Sequence, residues 1–206
     1  MDAGFLITSF VTLFVVIDPI GLTPMFIALT AGSKPAHRRA VALRACVIAF
    51  GILTMFAFFG EAVLGFIGIG MPAFRIAGGI LLFLTALDML FERRTKRREN
   101  QSETEDFPDP SVFPIAIPLT AGPGAIATMI LLVGQSGTWQ ETAGVMAMMA
   151  VVLLVVLVFF LSAGVVERAL GRTGIVVVTR LLGMLLAALS VQFVLDGLRD
   201  FGFAGV

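Results

Sequence analysis

Six apolar stretches, at about residues 5–31, 40–60, 72–91, 111–134, 142–165 and 176–198, take up most of this 206-residue chain. Each is close to the roughly 20 residues an α-helix needs to cross a bilayer. Lipid supplies no water to open backbone groups, and these runs lack the two-residue alternation of barrel strands. Every stretch should therefore be a helix. The composition agrees: 58% hydrophobic, 14% charged and a mean hydropathy of +1.03, against roughly 25% charged residues in soluble domains. The expected fold is all-α, a polytopic membrane bundle of six transmembrane helices with no soluble domain beside it.

Several function classes are disfavoured at this point. The 14 basic and 14 acidic residues balance, and no basic face is interleaved with aromatics, so no nucleic-acid partner is expected. Cys46 and His37 are single representatives of their types, which disfavours a disulfide, a Cys-x-x-Cys site or a transition-metal centre. No Gly-x-Ser-x-Gly, His-Glu-x-x-His or Walker sequence occurs, so no catalytic residue, metal or cofactor is assigned and the chain does not read as an enzyme. Met1-Asp2-Ala3-Gly4 lacks a basic n-region, so the first apolar run reads as a retained membrane segment.

Charge orients the bundle. Lys34, Arg38, Arg39 and Arg44 lie at the first loop, Arg93, Arg94, Lys96, Arg97 and Arg98 in the third, and Arg168 and Arg172 in the fifth; the other side offers only Arg199. The positive-inside rule makes loops one, three and five cytoplasmic and places both termini outside. The third loop continues through Glu99, Glu103, Glu105, Asp106 and Asp109 with Pro108 and Pro110. Residues 92–110 therefore read as a solvated linker between residues 1–91 and 111–206. Trp139 suits an interfacial anchor, and the uniformly apolar fifth stretch reads as lipid-facing scaffold.

The two halves resemble each other. Asp18-Pro19-Ile20-Gly21-Leu22-Thr23-Pro24 and Pro118-Leu119-Thr120-Ala121-Gly122-Pro123-Gly124 each hold two prolines five residues apart, with glycine and threonine nearby. At an offset of 105, Arg75 aligns with Arg180, Gly78 with Gly183 and Thr85 with Ser190, whereas Pro19 and Pro118 are 99 apart, so loops or helices differ in length. Three spans per half is an odd number, which makes the repeat an inverted one, two three-helix units with helices 1 and 4 interrupted. Paired interruptions at matching positions are the best sequence pointer to a transport site. On helical rise, both breaks fall nearer the cytoplasmic side than strict two-fold symmetry allows.

Proline removes an N–H and clashes with the preceding turn, and Gly21 permits torsions closed to other residues. The expected result is two half-helices around an unwound turn, with N–H groups near Thr23 to Phe26, and again from Gly122 to Ala125, open to a carboxylate. Carbonyls ending the first half-helix, together with Asp18, suit an ammonium or a cation. The candidate binding residues are thus Asp18, Pro19, Gly21, Thr23, Pro24, Thr120, Gly122, Pro123 and Gly124. A buried carboxylate costs roughly 2.5–3.5 kcal/mol on insertion scales, so Asp18 needs a partner or a proton; it also suits an N-cap. Thr85, Ser190 and Gln192 are candidate lining residues, and Arg75 and Arg180 candidate gates, with pairing to Glu61 and Glu167 as the alternative. Asp88 and Asp196 read as interfacial, and Gly78, Gly79 and Gly183 as close-packing positions.

Val15 through Phe26, Pro118 through Ile126 and Thr179-Arg180-Leu181-Leu182-Gly183 together resemble the MarC family of bacterial inner-membrane proteins, over essentially the whole chain. The resemblance implies a LysE-type exporter relative, with some members described as transporters of glycine and alanine and many uncharacterised. It carries the motif positions onto Asp18, Pro19, Gly21 and Pro24, and onto Pro118, Gly122, Pro123 and Gly124. The first position is Asn in many members, so an aspartate here adds a titratable group.

The expectation is a multi-pass secondary transporter of small neutral amino acids in the bacterial inner membrane, coupled to a proton or sodium ion. Its partners would be a small zwitterionic solute and the lipid bilayer, with a homo-oligomer left open. The alternatives are a non-transport membrane protein, in which the breaks are packed shut, and an exporter or channel for another small solute.

Overall fold

A computed structural model of the chain describes residues 3–91 and 109–203. Its elements are α1 (Ala3–Ile17), α2 (Pro19–Leu29), α3 (Pro35–Ile67), α4 (Met71–Leu90), α5 (Ser111–Thr120), α6 (Pro123–Gly134), α7 (Trp139–Leu161) and α8 (Ala163–Asp200). There is no strand among the described residues. Residues 3–29, α3, α4, α7 and the Thr173–Asp200 part of α8 are each long and apolar enough to span a membrane, and α5 with α6 makes a sixth candidate bent by 56°. In the expected 92–110 linker only Asp109 and Pro110 are described. The basic block from Arg93 to Arg98, and Glu99, Glu103, Glu105, Asp106 and Pro108, lie outside the described residues.

Helix ends follow local chemistry. Pro19, Pro35, Pro72 and Pro123 sit in the first turns of α2, α3, α4 and α6, where a missing N–H breaks no bond. Thr138 and Glu141 form a reciprocal capping box at α7. Gly68 ends α3 at φ +83, a left-handed torsion that glycine adopts without a Cβ clash. A second such glycine, Gly171 at φ +61, kinks α8 between its short first part and its long apolar part.

Glycines set the helix contacts. The α4–α8 seam is the most extensive among the described residues. Cβ atoms added to Gly79 would lie 2.8 Å from the Ser190 carbonyl, to Gly183 3.2 Å from that of Ala86, and to Gly197 2.9 Å from that of Pro72. Positions rising along α4 thus meet positions falling along α8, so the two helices run antiparallel with backbones nearly touching. Helix α6 also opposes α4, with Gly134 against Met71, Gly78 against Leu131, and Gly124 against Leu82 and Thr85. Residues 127–132 of α6 are all buried, which puts this short helix at the centre of the bundle.

Helix α7 is more than the lipid-facing scaffold expected from its composition. Val145, Met149, Val152, Val156 and Phe160 form one buried face, while Val151, Leu154, Val158 and Leu161 point outward. A uniformly apolar run hides this division, because in lipid both faces want the same residues. Trp139 is exposed at the start of α7, its ring tilted against Phe58 at a centroid distance of 6.1 Å. Arg75 pairs with Asp200 at the end of α8, while Glu61, the partner considered from the sequence, is exposed. The antiparallel seam explains the switch, since it carries the last turn of α8 to the first turns of α4.

Candidate functional site

The first interruption is a single residue. Asp18 adopts φ 57 and ψ 67, the only positive φ outside glycine among the described residues, and separates α1 from α2. Its N–H still donates to Phe14 O at 2.9 Å, and its carbonyl accepts from Leu22 N at 3.0 Å. Its Oδ1 accepts from Gly21 N at 3.0 Å, so the carboxylate caps the helix it starts. The carboxylate is fully buried. Helix α2 resumes at Pro19 and continues through Pro24. The open donors therefore do not lie near Thr23 to Phe26, as the sequence suggested: those residues are already inside a helix, and the Thr23 hydroxyl donates to Pro19 O at 3.0 Å.

The second interruption is broader. Helix α5 is wound in wide turns, with Ile115 N donating to Pro110 O at 3.2 Å and Ala121 N to Ala116 O at 2.8 Å, five residues back in each case. Phe113 and Ile117 have extended torsions, and the peptide bonds before Pro114 and Pro118 are cis. The Thr120 hydroxyl donates to Ile115 O at 2.8 Å. A Cβ on Gly122 would run into the Pro118 carbonyl, so only glycine fits at this turn.

Helix α6 then begins with no side-chain cap. Ile126 N donates to Gly122 O at 3.0 Å, but the N–H groups of Gly124 and Ala125 have no hydrogen-bond partner among the described residues, although both residues are buried. Buried backbone donors left open are rare, and at a helix N-terminus they form an anion site reinforced by the helix dipole. The two interruptions thus differ: the first is closed by its own aspartate, and the second stays open.

They also meet. A methyl on Gly124 would lie 3.3 Å from Val16 Cγ1, 3.5 Å from Leu82 Cδ2 and 3.7 Å from Thr85 Oγ1. The start of α6 therefore sits against α1 two residues before Asp18, at the level of Thr85. Two residues the sequence reading passed over join this region. Thr12, one turn before Val16, and Thr128, one turn after Gly124, are fully buried with hydroxyls that have no partner among the described residues. The signal was their spacing of four from Val16 and Gly124, the residues in contact across α1 and α6, which puts them on the same helix faces.

The other sequence candidates are distributed differently. Thr85 is at the break, its hydroxyl donating to Leu81 O at 3.0 Å. Ser190 is buried in the α4–α8 seam beside Gly79 and donates to Ala187 O at 2.7 Å. Gln192 is exposed on the outer face and donates to Asp196 at 2.8 Å, and Arg180 is exposed. Arg75 lies ten residues before Thr85 on α4, about 15 Å along the axis. Pro118 and Pro123 are exposed, and Gly21, Pro24 and Gly122 are half-buried. Thr85 is therefore shown at the α6 N-terminus, against the stretch of α1 that ends two residues later at Asp18, with Thr12 and Thr128 one helical turn from the contacting residues Val16 and Gly124.

Residues 3–201 match the family model for MarC family integral membrane proteins. The chain belongs to the MarC family. Its relatives include a "UPF0056 membrane protein" of Archaeoglobus fulgidus, 38% identical over 96% of this chain and 93% of the relative. The UPF0056 membrane protein YvbG of Bacillus subtilis is 37% identical over 97% of this chain and 96% of its own length. The UPF0056 inner membrane protein YhgN of Escherichia coli K12 is 33% identical over 94% of this chain and 96% of its own length. No solved structure matches this MarC-family chain. The breaks, the central α6 and the buried Asp18 are accordingly features of an integral membrane protein whose relatives' names state no substrate.

Proposed function

We propose that this MarC-family protein is a secondary transporter of small neutral amino acids, zwitterions the size of glycine or alanine, working by alternating access in the bacterial inner membrane. The carrying observation is the pair of open, buried N–H groups of Gly124 and Ala125 set against α1 two residues from the buried Asp18. A carboxylate matches the donors, and an ammonium matches Asp18. The same aspartate is the group through which a proton or sodium ion would couple. Thr12, Thr85 and Thr128 supply hydroxyls but no further charge, which suits a neutral side chain. No catalytic residue or cofactor enters this reading.

The antiparallel α4–α8 seam supports an inverted repeat, since two helices exchanged by an axis in the membrane plane must run in opposite directions. In that arrangement α4 and α8 move as counterparts, and both termini face outward. One observation favours a second reading. At Gly124 an added methyl would already touch α1 and α4, the tight fit that a non-transporting membrane protein with closed breaks would have.

Uptake of labelled glycine and alanine into proteoliposomes, with and without proton and sodium gradients, separates the two. Saturable uptake lost in Gly122→Leu supports transport. Absence of saturable flux for either solute, or flux indifferent to Gly122→Leu and Asp18→Asn, rejects it.

A further inference from the structure

We propose that Phe26, Phe160 and Arg38 form a gate that seals the breaks from the basic face of the bundle. The Phe26 and Phe160 rings stack with centroids 4.4 Å apart and planes 7° from parallel, and the Arg38 guanidinium lies 5.7 Å from the Phe26 centroid. Both rings are buried, at 1% and 2% exposure, while Arg38 reaches the surface beside exposed Lys34, His37 and Arg39. Three separate elements contribute one layer each: α2, α7 and α3.

The position of the stack is what makes it a gate. Phe26 follows Asp18 by eight residues on α2, about 12 Å along the helix toward the turn at Thr30 to Lys34. A solute leaving the breaks along α2 toward that turn would meet the stacked rings. The Thr30 hydroxyl donates to Phe26 O at 2.6 Å, which ties the turn to the backbone that carries the gate. Phe160 stands in the last turn of α7, two residues before Ser162, where α7 gives way to α8. A tilt of α2 or of the end of α7 would separate the rings without disturbing the glycine seam of α4 and α8. Arg38 adds cation–π attraction at the wet edge of the stack and can follow Phe26 or release it. The proposal rests on the breaks being a binding site, but its test needs no flux.

The sole cysteine, Cys46, is replaced by alanine, and Ala125→Cys reports from the first turn of α6. Sealed vesicles of known orientation are treated with a membrane-impermeant maleimide from either side. The parent should label slowly from the basic face. Phe26→Ala and Phe160→Ala should each raise that rate about tenfold, the loss expected for an aromatic pair and its packing, and Arg38→Gln should raise it less. Leu64→Ala, a buried truncation near the far end of α3, should leave it unchanged. Rates unmoved in both phenylalanine variants, raised equally from both faces, or raised as much by Leu64→Ala would overturn the gate. Stack-controlled labelling in a protein without flux would reject transport and keep the gate. Flux with labelling indifferent to the stack would reject the gate alone.

Discussion

Replacing Asp18 separates two roles that the structure superimposes on one side chain. Its left-handed torsions cost an alanine about 1–2 kcal/mol relative to ordinary helix. Loss of the bond from Gly21 N to Oδ1 removes an N-cap worth about 1 kcal/mol. Asp18→Ala should therefore destabilise the protein by roughly 2–3 kcal/mol, a fall of about 4–12 °C in melting temperature for a chain of this size. Asparagine tolerates left-handed torsions and caps as well as aspartate, so Asp18→Asn should stay within about 0.5 kcal/mol of the parent. It removes only the charge. If the carboxylate receives the ammonium or the coupling ion, Asp18→Asn loses gradient-driven flux while keeping its melting temperature. Thermal unfolding of purified protein in detergent, paired with proteoliposome uptake, measures both. An Asp18→Asn protein as unstable as Asp18→Ala, or an Asp18→Ala protein as stable as the parent, would refute the torsion-and-cap argument.

Three further outcomes are expected. Thr128→Val removes a buried, unpartnered hydroxyl with little change of shape; without substrate it should raise stability by about 1 kcal/mol, and with substrate it should weaken glycine-dependent thermal stabilisation. Gly79→Leu would force the Ser190 carbonyl and Val194 N away from α4 and should cost roughly 3 kcal/mol, whereas Gly51→Leu, with nothing within 4 Å, should be neutral or stabilising in the same melting assay. The Ser111 residue, whose N–H donates to Asp109 Oδ1, and then the Arg44 guanidinium hold the Asp109 carboxyl below its usual range. Its contribution is present above the ordinary carboxylate pKa of about 4 and is lost as pH falls through the depressed value. Asp109→Asn should therefore be less stable than the parent at neutral pH and match it in strong acid, and a difference that persists in strong acid would contradict the assignment.

Much of this protein follows from its sequence alone. In lipid the backbone must satisfy itself, so apolar runs of this length can be little other than helices, and prolines with glycine can only mark where those helices fail. The class, the approximate spans, the interruptions near Asp18 and Gly122 and the close-packing role of Gly78, Gly79 and Gly183 are local consequences of this kind. The tertiary structure decided what depends on distance between segments. Proline content did not tell which residue breaks helix 1. Pro24 is absorbed inside α2 while Asp18 takes the left-handed turn, because a carboxylate can cap the donors that the turn exposes. Nor did residue type separate Thr85 from Gln192: both are polar residues in apolar helices, and only packing places one beside Gly124 and the other on the outer face. Thr12 and Thr128 gained meaning only when α1 and α6 were brought together. The Arg75 partner changed from Glu61 to Asp200 because an antiparallel seam, held by glycine contacts far apart in sequence, brings the last turn of α8 to the first turns of α4.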